Sequence, residues 1–275
     1  MSAISFLRRL VDRAPIVARS YRNFRDRRAT RRLSRAVSPY GFALWGGNYL
    51  ASGIHESDEL DLVARELRSA DVLVDCGANG GLFTCLAASQ RVHAIAIEPL
   101  PSNLAVLYRN LHENDFPGPV EVYPVAVGAR AGIATLYGRG QGASLVAGWG
   151  GQPTYDGVTV PVLPLDSILG QRFDGARILL KVDVEGAEWE MLRGAEHTVA
   201  QRPKVLMELS LSRNHPQGHN RNFRAVFEHF WNLGYSAHAP SRLRESITAE
   251  RVDAWLERGR TELAGENFWF SPNGC

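Results

Sequence analysis

The chain has 275 residues, 45% of them hydrophobic, enough to bury a full core, and a formal net charge of +2. Its three cysteines exclude a disulfide framework and suit a reducing, cytoplasmic setting. No apolar run reaches the roughly 20 residues that span a bilayer, and Arg8, Arg9, Asp12 and Arg13 interrupt any signal-peptide core.

The charge is unevenly placed: residues 1–35 hold eleven arginines against Asp12 and Asp26, so the remainder is acidic. Ile4, Leu7, Leu10, Val11 and Ala14 fall on one face of a short helix that Pro15 ends, and Tyr21 and Phe24 continue a thinner stripe. A basic amphipathic segment of this kind either touches an anionic membrane surface peripherally or packs on its own domain or on a second copy in a homo-oligomer. Nucleic acid is disfavoured as a partner, because aromatics are not interleaved through the arm and the acidic remainder repels phosphate. Residues 1–54 therefore read as a basic helical arm and residues 55–275 as one domain. Ser57 is a plausible cap for a first domain helix carrying Leu60, Leu62, Val63 and Leu67.

The run VLVDCGANGG, residues 72–81, is an apolar strand that breaks into Asp75 and then a glycine-rich turn opening onto a helix with Leu82, Phe83, Cys85 and Leu86. In open α/β sheets ligands sit at such turns. The turn is neither a dinucleotide fingerprint, since Asn79 and Leu82 stand where glycines are required, nor a P-loop, since no Gly-Lys-Ser/Thr follows. An acidic residue at the strand end repels a pyrophosphate but suits a ligand carrying an ammonium and a sulfonium. The next strand, HAIAI, ends in Glu98, about 20 residues past the turn, the spacing at which a carboxylate takes ribose hydroxyls. Leu104, Val106, Leu107 and Leu111 then form the stripe of a helix.

Residues 120–127 (VEVYPVAV) alternate enough to predict one strand despite Pro124, and residues 133–137 and 158–165 predict two more. Between these lies the glycine-rich loop 138–151, either a mobile lid with Ser144 and Trp149 facing an acceptor or a plain surface connection. Asp166 reads as the cap of a short helix. A further apolar run ends in KVDVEGAEWEML, which crowds Asp183, Glu185 and Glu188 at a strand's carboxyl edge. Glu188 and Glu190 can simply complement a helix dipole, whereas Asp183 and Glu185 stand before the helix and read as functional. Glu208, closing the buried run 205–209, needs either an ion-pair partner or a purpose. His215 and His219 do not make a helical metal pair, because Pro216 and Gly218 lie between them. Phe223, Val226, Phe227, Phe230 and Trp231 predict a core helix face, and residues 268–270 a last strand.

In order, VLVDCGANGG, AIAIEPLPSNLAVLYRN, VAVG, LD with KVDVEGAE, and KVLMEL resemble the motif series of FkbM-family methyltransferases, over about residues 55–240. The resemblance implies a class I methyltransferase (Rossmann-like) fold, doubly wound α/β with a seven-stranded mixed sheet. It also implies S-adenosylmethionine as cofactor and O-methylation of a hydroxyl on a sugar, glycolipid or secondary metabolite. Carried over by position, it puts Asp75, Gly77, Ala78, Asn79 and Gly81 around the methionine part of the cofactor. Glu98 then falls on the ribose, and Pro99, Asn103, Ala126 and Val127 near the adenine. Asp183, as base or acceptor clamp and close to the cofactor, would face the transferable methyl with Glu185 assisting and Glu208 nearby. Cys76 departs from the aliphatic residue usual there, a change that a small buried thiol accommodates. Two alternatives keep the pocket: a nicotinamide-dependent oxidoreductase, which Asn79 and Leu82 disfavour, and a cofactor-binding module without chemistry.

Overall fold

The computed structural model describes residues 33–46, 57–152, 154 and 157–274. The helix expected over residues 4–14, with most of the basic arm, lies outside them. Residues just after that stretch form an antiparallel hairpin, β1 (Ser34–Val37) and β2 (Ala43–Gly46). The first domain helix, α1 (Ser57–Glu66), begins at Ser57 itself. Among the described residues no helix is long and apolar enough to cross a membrane.

Five parallel strands form the centre of the molecule: β3 (Val72–Cys76), β4 (His93–Ile97), β5 (Val120–Tyr123), β9 (Ile178–Val182) and β10 (Lys204–Glu208). Two more, β11 (Tyr235–His238) and β12 (Asn267–Pro272), complete a mixed sheet in the order β11-β12-β10-β9-β3-β4-β5. The run expected at residues 268–270 is thus not an edge strand. It lies between β10 and β11, antiparallel to both.

Strand side chains alternate between two faces, and here both faces are buried, which is why these strands are nearly continuous apolar runs. Val72, Val74, Leu180 and Val182 pack against Met191, Val199, Phe223, Phe227 and Trp255. Those partners come from α5 (Glu188–Leu192), α6 (Glu196–Ala200), α7 (Phe223–Asn232) and α8 (Ala249–Arg258). On the opposite face Leu73, Leu179 and Leu206 pack against Leu60, Leu67, Phe83 and Leu86, from α1 and α2 (Leu82–Ser89). Helices on both faces of a mostly parallel sheet make this the doubly wound class I methyltransferase fold expected.

Residues 120–127 are not one strand. The chain turns at Pro124, so that β5 joins the main sheet while β6 (Ala126–Val127) pairs with β8 (Gly157–Leu163) in a separate three-stranded sheet with β7 (Gly132–Tyr137). Proline has no N–H for a central ladder, and the chain uses it to change sheets. Strand β8 also stops before Leu165, which opens the short helix α4 (Leu165–Leu169). Asp166, in its first turn, does cap a short helix, but a different one: its carboxylate accepts from the His197 and Thr198 backbone N–H groups of α6, at 2.8 and 2.9 Å.

The helix α3 (Pro101–Glu113) ties the hairpin to the glycine turn. Asn110, fully buried, accepts from Trp45 N–H at 2.6 Å and donates to the carbonyls of Trp45 and Gly80 at 3.1 and 2.8 Å. Phe42 and Leu44 of the hairpin join the core beside Leu60 and Leu62.

Candidate active site

From β3 the chain crosses to β4 on one side, and from β9 to β10 on the other. Carboxyl ends that diverge in this way leave a crevice. It holds a cavity of about 350 Å³, within the range of small-molecule sites.

Gly77 lies in its wall at φ +82, and a Cβ there would stand 1.8 Å from the carbonyl oxygen of Asp183. Only glycine lets the turn after β3 pass so close to the end of β9. Gly77 and Ala78 donate their N–H groups to the Ile97 carbonyl at 2.9 and 3.0 Å, and Asp183 donates its own to Cys76 at 2.9 Å. The ends of three strands are thereby locked together.

Glu98 is buried at the end of β4. Its two oxygens accept from the backbone N–H groups of Asn79 and Leu100, each at 2.8 Å, and burial still pushes its carboxyl up to about 7. Pro99, Asn103, Ala126 and Val127 continue the wall on this side, and Asn103 donates to the Gly140 carbonyl at 3.2 Å.

Beyond β3, the wall is acidic. Asp183 accepts from the buried Lys181 ammonium at 2.9 Å. Glu185 sits at φ 52, left-handed for a residue with a side chain, and burial together with the Asp183 charge lifts its carboxyl to about 7. Glu208, at the tip of β10, is pushed up to about 8 by burial and by Asp183, against Lys181 and an Arg213 guanidinium 3.6 Å away. The partner or purpose that Glu208 required thus includes an arginine. Glu188 is not in the wall. It accepts from Gly186 N–H at 2.7 Å, and burial raises it to about 8.

Gly77, Asn79, Glu98, Pro99 and Asn103 are therefore gathered around one cavity with Ala126, Val127, Asp183, Glu185 and Glu208. Asp75, Ala78 and Gly81 do not line it. Asp75 is buried on the face of Leu73, accepts from Thr84 Oγ1 at 2.6 Å and neighbours Lys181 across the strand pair. Gly81, at φ +85, caps α2, and a Cβ there would meet Leu107 at 2.2 Å, so it permits helix packing.

Ser144 and Trp149, expected against an acceptor, are also outside the wall. Both are buried, and both hold Glu185: Ser144 Oγ donates to its carbonyl at 2.5 Å and Trp149 Nε1 to its carboxylate at 2.6 Å. Their loop is folded down through 3₁₀ turns at Gly140–Gly142 and Trp149–Gly151.

Sequence reasoning passed over the cavity's Val125, Leu136, Leu145, Arg213 and Asn214. Only Arg213 carried a signal, as a cation just past the strand tip that bears Glu208. His215 stacks edge-on against Trp149 with centroids 4.6 Å apart. Among the described residues no three His, Cys, Asp or Glu side chains are grouped to hold a metal ion.

A curated relative, the hexuronic acid methyltransferase AglP of Haloferax volcanii, is 26% identical over 155 residues, 56% of this chain and 62% of its own. Among solved structures, the methyltransferase FkbM of Methylobacillus flagellatus KT is 18% identical with a TM-score of 0.44, over 74% of this chain and 44% of its own. An O-methyltransferase of Bacillus cereus solved with SAH is 12% identical with a TM-score of 0.45, over 78% and 79%. The chain thus spans less than two thirds of the first two relatives. A family model of the methyltransferase FkbM domain matches residues 75–237, more than half of the sequence, from Asp75 in β3 to Ala237 in β11, and the chain belongs to that methyltransferase family.

Proposed function

We propose that this methyltransferase uses S-adenosylmethionine to methylate a hydroxyl of a saccharide, free or lipid-linked. The observation that carries the reading is the distribution of carboxylates about one cavity, with Glu98 on one side of β3 and Asp183, Glu185 and Glu208 on the other.

The residues present fit that cofactor. Each Glu98 oxygen spends one lone pair on a backbone N–H and keeps acceptor capacity for the two adjacent hydroxyls of a ribose. Pro99, Val125, Ala126 and Leu136 offer an apolar surface for a flat base. Four wall carboxylates stand against Arg213, and a ligand bearing positive charge would draw the raised Glu98, Glu185 and Glu208 into their ionised forms. When bound, S-adenosylmethionine supplies a methyl group already activated on a sulfonium.

Two tasks remain for the chain: to align the acceptor hydroxyl and to take its proton. Asp183, its Oδ2 fixed on Lys181, suits alignment through its other oxygen. Glu185, lifted to about 7, suits proton acceptance, because a base is most effective when its pKa lies near the working pH. This division reverses the emphasis that position alone suggested. Alignment can supply about 7–11 kcal/mol of barrier lowering, and a positioned base contributes roughly 10²- to 10⁴-fold in rate. The name of the Haloferax relative supports a saccharide acceptor.

The test begins with calorimetry of the purified protein with S-adenosylmethionine, followed by incubation with methyl-labelled cofactor and a cell extract split into saccharide, lipid, protein and small-molecule fractions. Saturable binding with label in saccharide, or in the glycan part of lipid, is expected. No saturable binding overturns the cofactor, and label confined to protein or to aglycone metabolites overturns the acceptor class.

A further inference from the structure

Glu185 and Gly186 are successive left-handed residues, at φ 52 and +95, so the chain turns sharply off the end of β9 and carries the Glu185 side chain toward the cavity. A residue with a Cβ keeps such a conformation only when its surroundings hold it there. Here the anchors come from 36 and 41 residues away in sequence, from the loop that leaves β7.

That loop grips Glu185 at both ends, with Ser144 Oγ on its carbonyl and Trp149 Nε1 on its Oε2. The indole fills the space a Gly186 side chain would need, since a Cβ there would lie 2.5 Å from the ring. The loop is itself fastened. Tyr137 and Ser144 exchange backbone hydrogen bonds at 2.8 and 2.9 Å, and Gly150 N–H donates to the Asn214 carbonyl at 2.7 Å. His215 closes edge-on against the indole. Other residues of the same loop, Gly140 and Leu145 among them, line the cavity, and Gly140 is tied to Asn103 on the Glu98 side. One segment therefore touches both halves of the site.

We propose that Trp149 and Ser144 are positioning residues, which act on methyl transfer through Glu185 by fixing its carboxylate against the cavity, without touching substrate themselves. The proposal rests on the reading of Glu185 as proton acceptor.

Trp149→Phe removes the N–H donor and keeps a ring for packing, and its effect can be read without turnover. In the full-length protein, the indole Nε1 proton resonance that disappears in Trp149→Phe should shift with pH, with a midpoint at about 7 from Glu185, and in Glu185→Gln should lose that step, keeping only one at lower pH from His215, whose burial lowers its pKa. Transfer of label into the saccharide fraction should slow roughly ten- to a hundredfold in Trp149→Phe, with S-adenosylmethionine affinity within about twofold of wild type. The acidic limb of its pH profile should move upward, because the lost hydrogen bond had lowered the Glu185 pKa. Trp149→Phe on a Glu185→Gln background should add little further loss. If Trp149→Phe does not fold, Ser144→Ala, which frees the Glu185 carbonyl and leaves its carboxylate bonded, should slow label transfer with S-adenosylmethionine affinity within about twofold of wild type.

An indole resonance indifferent to pH between 5 and 9, or one that keeps its step at about 7 in Glu185→Gln, overturns the proposal. Loss confined to melting temperature with an unmoved pH limb overturns it also. If the resonance titrates as expected but Glu185→Gln transfers label at the wild-type rate, it is the proton-acceptor reading that falls, while the grip on Glu185 stands.

Discussion

Replacing Glu98 with alanine separates cofactor binding from fold. The substitution removes the acceptor of two backbone N–H bonds, from Asn79 and Leu100 at 2.8 Å each, and the two acceptor positions assigned to ribose hydroxyls. A hydrogen bond to a charged group contributes about 1.5–3 kcal/mol. Two therefore amount to about 3–6 kcal/mol, and at about 1.4 kcal/mol per tenfold this is a loss of roughly 10²–10⁴ in affinity. Water entering the vacated space offsets part of it, which places the expectation at roughly 10²–10³. The fold suffers less, because the carboxyl raised to about 7 was itself disfavoured as an ion in its buried place. Calorimetry with S-adenosylmethionine and S-adenosylhomocysteine at pH 8, where wild-type Glu98 is ionised, measures the effect, and a melting curve of each protein verifies folding. Wild-type affinity should also rise from pH 6 to 8, and more steeply than that of the alanine variant, which keeps the titrations of Glu185 and Glu208. A folded Glu98→Ala protein that binds within about threefold of wild type would refute the reasoning.

Asp183→Asn should leave S-adenosylmethionine affinity within a few-fold while label transfer falls by roughly 10² or more; abolished affinity in calorimetry would move Asp183 to the cofactor instead. Gly77→Ala forces a Cβ against the Asp183 carbonyl at φ +82. Left-handed strain of about 1–2 kcal/mol and overpacking of about 1–3 kcal/mol should lower the melting temperature by roughly 4–20 °C, and a change under 1 °C would contradict the close approach. Burial lifts the Glu188 carboxyl to about 8 in the folded chain, above its ordinary 4.5. The native chain keeps a proton that the unfolded chain releases, so this contribution to stability is complete below about pH 4.5 and fades as pH rises through 8. Glu188→Gln should therefore melt less differently at pH 5 and pH 8 than wild type does, and parallel pH profiles would show that the shift is absent.

What could be read from the residues was what the chain encodes locally. The glycine turn, the carboxylates closing β4 and β9 and the aromatic face of α7 each sit within a short window whose apolar period and breaking residues announce them. Where the reading erred, a distant partner decided. Pro124 in a good apolar alternation marks a change of sheet only because β8 is waiting some 35 residues later to pair with Ala126. Asp166 resembles the cap of its own helix, yet the unsatisfied N–H groups it finds belong to α6. Ser144 and Trp149 read as residues facing an acceptor, whereas both lie outside the wall and bond another protein group, Glu185, a partner that no local pattern announces. Arg213 reaches the cavity because the chain turns back after β10, a path set by loop geometry with no periodic signal.

The antiparallel placement of β12 bears on how this chain can be cut. The segment that matches the family ends at residue 237, yet the strand wedged between β10 and β11 is supplied by residues 267–272. A fragment trimmed to the match would lose an inner rung of its own sheet, baring the ladder groups of Val205–Met207 and the rings of Phe223 and Phe227, which lean on Phe268. Such a fragment would offer two raw edges to any neighbouring chain and should aggregate, so a minimal active version has to keep its tail through Pro272.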